Sequence, residues 1–183
     1  MKNIIFLFLL LLSAYSSQAQ IRGAFGQVAG HFITNTEGNG FRDIELGLRT
    51  SVGLDIGEHI STGLKIQQIW YRGTNYDFQH MWMAGPFVRY GSSLENDVRF
   101  FGELGFMRGN YCTCSLFIGE YSKKEGVNYL AWGGGLEYQI RPGVYLNGEL
   151  FFHYLLNQAQ PKTGYHGYLL GLVFHLSRGN LSS

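Results

Sequence analysis

The sequence predicts an all-β fold: an eight-stranded antiparallel up-and-down transmembrane β-barrel behind a cleavable signal peptide. Three observations predict it. The N-terminus carries a short apolar run ending in small residues, the remainder is apolar yet nearly free of charge, and side chains alternate with a period of two along most of its length.

Lys2 gives a positive start, Ile4 to Leu12 are uniformly apolar, and Ser17-Gln18-Ala19 places small residues where a signal peptidase cuts. The apolar run is far short of the ~20 residues that a spanning helix needs. Cleavage is expected after Ala19, leaving residues 20–177 as an outer-membrane β-barrel domain and 178–183 as a short tail. No cysteine lies near the cut, which argues against a lipid anchor.

Hydrophobic residues make up 45% of the chain and charged residues 15%, against about 25% charged in an average soluble protein. Glycine is abundant at 26 residues and proline scarce at 3, which excludes collagen-like and disordered chains. Removing residues 1–19 takes away Lys2 and no acid, so the two signs cancel and no basic face for nucleic acid remains. No later stretch is apolar for long enough to span as a helix. An exported chain this apolar points to a barrel that spans with strands.

The strands follow in order. Residues 21–33 give the first, with poor alternation between Gly23 and Gly30. In the second, Ile44, Leu46, Leu48, Thr50, Val52, Leu54 and Ile56 alternate with Glu45, Gly47, Arg49, Ser51, Gly53 and Asp55, which a strand sends to opposite faces. Residues 59–71 give a third whose phase slips near Gln68 and Ile69, and residues 80–90 a fourth interrupted by Pro86. A proline there removes a ladder hydrogen bond and predicts a bulge. Val98–Met107, Leu130–Ile140, Val144–Tyr154 and Leu169–Leu176 complete an even number of strands, as single-chain outer-membrane barrels have.

A soluble barrel alternates too, with its apolar face inside. Here the charged face is sparse, balanced and mixed with glycine, which suits a narrow lumen filled by ion pairs. Glu45, Arg49, Lys65, Arg89, Arg99, Glu103, Glu137 and Glu149 are the lumen candidates. Trp70, Trp82, Trp132, Phe152, Tyr154 and Tyr168 lie near one end of their strands, and Tyr90, Phe100, Tyr138 and Phe174 near the other. Two aromatic girdles around an aliphatic band fit a lipid-facing surface. Short connections at 57–58, 91–97 and 141–143 alternate with longer ones at 34–41, 72–79, 109–128 and 155–165. These match short periplasmic turns and longer extracellular loops, with both chain ends on the periplasmic side.

Ser51-Val52-Gly53-Leu54, Gly63-Leu64, Gly85-Pro86-Phe87-Val88-Arg89-Tyr90, Gly102-Glu103-Leu104-Gly105 and Gly135-Leu136-Glu137-Tyr138 resemble, in order and spacing, the outer-membrane-protein β-barrel domain family. These are small barrels of Gram-negative bacteria related in shape to OmpA- and OmpX-type barrels. The resemblance spans about residues 20–177 and implies that Arg89 points inward and that Pro86 is a family feature. Gly171, Phe174 and Leu176 resemble the terminal signal read by the barrel-assembly machinery, although Leu169 stands where a polar residue is usual and the chain runs on to Ser183.

Cys112 and Cys114 fall in the longest expected loop, and export favours a disulfide between them. The six histidines show no ligand spacing, although His153 and His175, on inward faces of neighbouring strands, could meet across the pair. No metal or other cofactor is expected. Barrels that deacylate lipid A need a serine close after their histidine, whereas His153 is followed by Tyr154, Leu155 and Leu156, so the expectation is no enzyme. Eight strands leave room for side chains rather than a water channel. The expected role is structural or interactive: a barrel in outer-membrane lipid whose loops meet an unspecified partner. A narrow porin-like permeability protein and a secreted lipocalin-like binding barrel are the alternatives.

Overall fold

The computed structural model describes residues 21–36, 42–72, 77–93, 96–115, 124–156 and 164–177. The expected signal peptide and tail lie outside them, and so do the side chains of Cys112 and Cys114. The elements are β1 (Ile21–Thr36), β2 (Arg42–Ile56), β3 (Ile60–Arg72), β4 (Asp77–Gly91), β5 (Val98–Ser115), β6 (Lys124–Arg141), β7 (Val144–Leu155) and β8 (Gly164–Ser177). Each pairs antiparallel with the next, and β8 returns to β1, closing an eight-stranded up-and-down barrel.

The period-two pattern decides the faces. Leu46, Leu48, Val52, Leu54, Leu64, Ile66, Leu104, Leu136, Leu150 and Leu170 all point outward and are exposed, whereas Arg49, Arg89, Arg99 and Glu137 point inward and are buried. Aromatic side chains edge the outer surface. Phe32, Trp82, Trp132, Phe152, Tyr154 and Tyr168 lie toward the end with the longer connections (the loop end), and Tyr90, Phe100, Tyr138 and Phe174 toward the other (the turn end). Trp132 and Phe152 stack across β6 and β7 at 4.4 Å. Trp70 stacks on His80 at 5.5 Å across β3 and β4.

At the turn end, Gly57 and Gly143 take positive φ (65° and 76°), which the tight β2–β3 and β6–β7 turns require and glycine supplies without strain. Inward glycines serve curvature instead. A Cβ on Gly133 would come within 2.5 Å of the Leu150 carbonyl oxygen, so β6 and β7 approach there as only glycine permits.

Four details differ from expectation. The ladder crosses Pro86 without a bulge: Ala84↔Arg108 and Phe87↔Gly105 keep one register, and the strands skip pairing at Gly85 and Pro86. The proline lacks an N–H, so a gap suffices. The apparent slip in β3 is no slip either, because Ile69 is buried in the lumen while Gln68 faces outward in unbroken register with β2 and β4. The bulges instead fall at the turn end, between Ile21 and Gly23 and between Gln139 and Arg141. Finally, the strands run further toward the loop end than expected. Asn110↔Gly126, Tyr111↔Glu125 and Cys112↔Lys124 are paired, so the cysteine backbone lies in strand rather than loop.

Candidate functional site

The lumen gathers the buried polar chemistry. Among the described residues it buries four cations, Arg49, Lys65, Arg89 and Arg99, and four carboxylates, Asp55, Glu103, Glu137 and Glu149. Burial of an ion is tolerable only with a partner, and each has one.

Arg89 on β4 is the hub. Its Nη1 donates to Glu137 Oε1 at 2.6 Å, its Nη2 to Glu103 Oε2 at 3.0 Å and to Gln27 Oε1 at 2.9 Å. Lys65 pairs with the other oxygen of Glu103, and Arg49 pairs with Glu149 while donating to Gln67 Oε1 at 2.9 Å. Gln27 also donates to Asn147 Oδ1 at 3.0 Å and accepts from Ser51 Oγ at 3.1 Å. Aromatic faces complete the cation shells, with Arg89 4.0 Å from the Phe101 centroid, Lys65 4.8 Å from Phe87 and Arg49 4.9 Å from Phe151.

Nearer the turn end, Arg99 Nη1 donates to Glu137 Oε2 at 3.3 Å and Nη2 to Ser61 Oγ at 3.3 Å. Ser61 donates to Asp55 Oδ1 at 2.7 Å, and Asp55 Oδ2 lies 2.8 Å from His175 Nδ1. A serine, an aspartate and a histidine therefore meet. The aspartate sits between the other two, so the imidazole has no contact through which to take the serine proton.

Five of the eight lumen candidates join the Arg89 network, Arg49 and Glu149 form a separate set with Gln67, and Glu45 lies 2.7 Å from His31. Asp55, His175, Gln27 and Asn147 belong to the Arg89 network and were missing from the candidate set. Their signal was present, since each lies on the inward parity of its strand. His153 and His175 do not meet. The His175 N–H bonds the Gly143 carbonyl at the turn end, whereas His153 aligns with Tyr165. Ten residues along β7 separate the two levels, roughly 33 Å at strand rise. Of the terminal triad, Phe174 and Leu176 face outward and Gly171 faces inward, against Ala29. Leu169 is buried beside Ala29 and Phe151, which explains an apolar residue at that position.

The loop-end half of the lumen has a different filling. Ile69, Met81, Met83, Met107, Val127, Tyr129, Ala131 and Leu155 form one buried apolar cluster. This departs from the uniformly polar lumen expected. No group of three potential metal ligands converges among the described residues.

No family model matches the chain, and no curated protein matches it. Solved structures do. Neisserial surface protein A aligns with a TM-score of 0.66 at 14% identity, covering 86% of this chain and 99% of that one. The N-terminal β-barrel domain of Pseudomonas aeruginosa OprF aligns at 0.63 and 14%, covering 86% and 100%. Ail, the attachment invasion locus protein of Yersinia pestis, solved with the heparin analogue sucrose octasulfate, aligns at 0.56 and 14%, covering 85% and 100%. At these identities the likeness is one of fold.

Proposed function

We propose that this chain is a small integral outer-membrane barrel, closed to general solutes, that anchors its loop end for contact outside the membrane. One observation carries the reading: polarity is inverted relative to a soluble barrel. Val52, Leu64, Leu150, Leu170 and Leu176 are each 60–66% exposed, while Arg89 and Glu137 are 0% exposed. Water disfavours such a surface and hydrocarbon favours it. The fold likeness to the outer membrane protein OprG from Pseudomonas aeruginosa, with a TM-score of 0.53 at 13% identity, supports the same placement. The lipocalin-like alternative needs the leucines inside, and a porin needs a lumen not filled by Arg49, Arg89 and their partners. The role is structural or interactive, with outer-membrane lipid as the partner this surface fits and no chemistry assigned to the barrel.

The test uses the best-patterned strand. Leu48→Arg places a charge on the outer band and should cost about 2–4 kcal/mol of stability in a bilayer, measured by urea unfolding from vesicles. In a Cys112→Ser, Cys114→Ser background, spin labels on cysteines introduced at Leu46, Leu48 and Val52 should relax with lipid-dissolved oxygen, and labels at Gly47 and Ser51 should not. Leucine positions that respond only to a water-soluble quencher would sink the membrane reading.

A further inference from the structure

Among the described residues, the ladder that closes the barrel stops early at its loop end. The β1–β8 ladder runs from Gly23↔Ser177 to Gly30↔Leu170 and stops, although β1 continues to Thr36 and β8 begins at Gly164. The opposite edges of the same segments stay paired: β1 with β2 out to Thr36↔Arg42, and β8 with β7 out to Gly164↔Tyr154. Backbone without a ladder is costly in hydrocarbon. Here a side chain serves in its place, the Tyr168 hydroxyl lying 3.4 Å from the Phe32 carbonyl oxygen on the exposed surface. Phe32 and Tyr168 belong to the loop-end aromatic band, so the unladdered stretch starts where lipid meets water.

Behind it lies apolar lumen. Ala29, Phe151 and Leu169 are buried together against the seam. Gly167 offers no side chain there, and a Cβ on it would meet the Phe151 ring at 2.9 Å. Rings then lead inward: His31 to Phe151 at 6.0 Å, Phe151 to His153 at 5.1 Å and His153 to Tyr129 at 5.8 Å, where the methionine cluster begins. Toward the turn end the way is shut by charge, with Arg49 held over Phe151 and paired to Glu149. The early end of the β1–β8 ladder faces this apolar filling directly.

We propose that the loop half of the β1–β8 seam is a lateral opening through which an amphiphile with one alkyl chain passes its tail between the surrounding lipid and the methionine-lined lumen. The size follows from the barrel, since eight strands leave space for side chains or one small ligand. Unbranched methionines can rearrange around a chain where branched residues cannot. The His31–Glu45 pair stands close to the entry as a polar group for a small head.

The inference rests on the membrane placement proposed above, and one experiment separates the two. The full mature barrel in phospholipid vesicles is irradiated with a dodecyl amphiphile carrying a diazirine on its tail, and adducts are mapped by mass spectrometry. Inner positions Leu169, Met83 and Met107 should be labelled together with outer positions Leu170 and Leu104. In a Phe32→Cys, Tyr168→Cys variant, made in the Cys112→Ser, Cys114→Ser background, bridging with a short bis-methanethiosulfonate should abolish inner labelling and spare outer labelling. Reduction should restore it. Tyr168→Phe, which only unfastens the seam, should increase inner labelling. Outer without inner labelling, or inner labelling indifferent to the bridge, overturns the lateral opening alone. Absence of outer labelling overturns the membrane placement as well.

Discussion

The two halves of the lumen are walled by the same strands and filled in different proportion: the turn half holds the ion pairs beside a small cluster of Phe25, Phe87, Tyr145 and Val173, and the loop half a larger apolar cluster beside His31 and His153. Toward the turn end, Arg89 reaches Glu103 on β5, Glu137 on β6 and Gln27 on β1. Each of these contacts is directional, and each partner is committed to another group. Toward the loop end, Met83, Met107, Ile69 and Val127 fill space through contacts that carry no direction. A charged filling specifies one arrangement and tolerates little change, because any loss leaves a buried ion alone. An apolar filling tolerates exchange of shapes so long as volume is kept. The same barrel thus joins a rigid floor to an adaptable upper chamber.

That contrast can be broken most directly at the hub. Arg89→Met leaves Glu103 and Glu137 without their shared cation and should cost about 3–5 kcal/mol, read from urea unfolding in vesicles. An unchanged midpoint would mean that the floor is no more demanding than the chamber. The next test sharpens the point within one pair. Arg49→Met alone should lose stability in the same range, whereas Arg49→Met with Glu149→Leu should recover most of it, since replacing both partners removes the stranded charge. Failure of the second change to rescue the first would place the value of Arg49 elsewhere, in Gln67 or the Phe151 face. The smallest effect belongs to the chamber. Met107→Leu should cost less than about 1.5 kcal/mol, and a larger loss would show that it is packed as tightly as the floor.

Much of the floor was legible in the sequence because its residues contradict their neighbours. Arg49 between Leu48 and Thr50, or Glu137 between Leu136 and Tyr138, states its face by polarity alone. The chamber was not legible for the same reason in reverse. Where the lumen is apolar, both faces of a strand are apolar and alternation vanishes. Ile69 therefore read as a slipped phase, and Met81 and Met83 flanking Trp82 carried no sign of their side. β1 was obscured similarly, with Phe25 and Ala29 inside and Gly26 and Gly30 outside. The strand extensions beyond Gly109 and before Tyr129 were hidden by polar residues that resemble loop. The end of the β1–β8 ladder depends on segments more than a hundred residues apart, and no local pattern reports it.

The span of the ion pairs along the chain has a consequence for assembly order. Arg49 and Glu149 are 100 residues apart, and so widely separated a pair comes together only when early and late strands face each other across a finished circle. Gln27 with Asn147, and Asp55 with His175, are 120 residues apart. A sheet of the first six strands would carry Arg49 without Glu149 and Asp55 without His175. Lowering such an open sheet into hydrocarbon would expose bare charge to lipid. The pairing pattern therefore favours a chain that is curled shut, or held by another protein, before it descends. It penalises insertion strand by strand. Closure and insertion become one event, timed by Arg49–Glu149 and Asp55–His175, the charged pairs that join early strands to late ones.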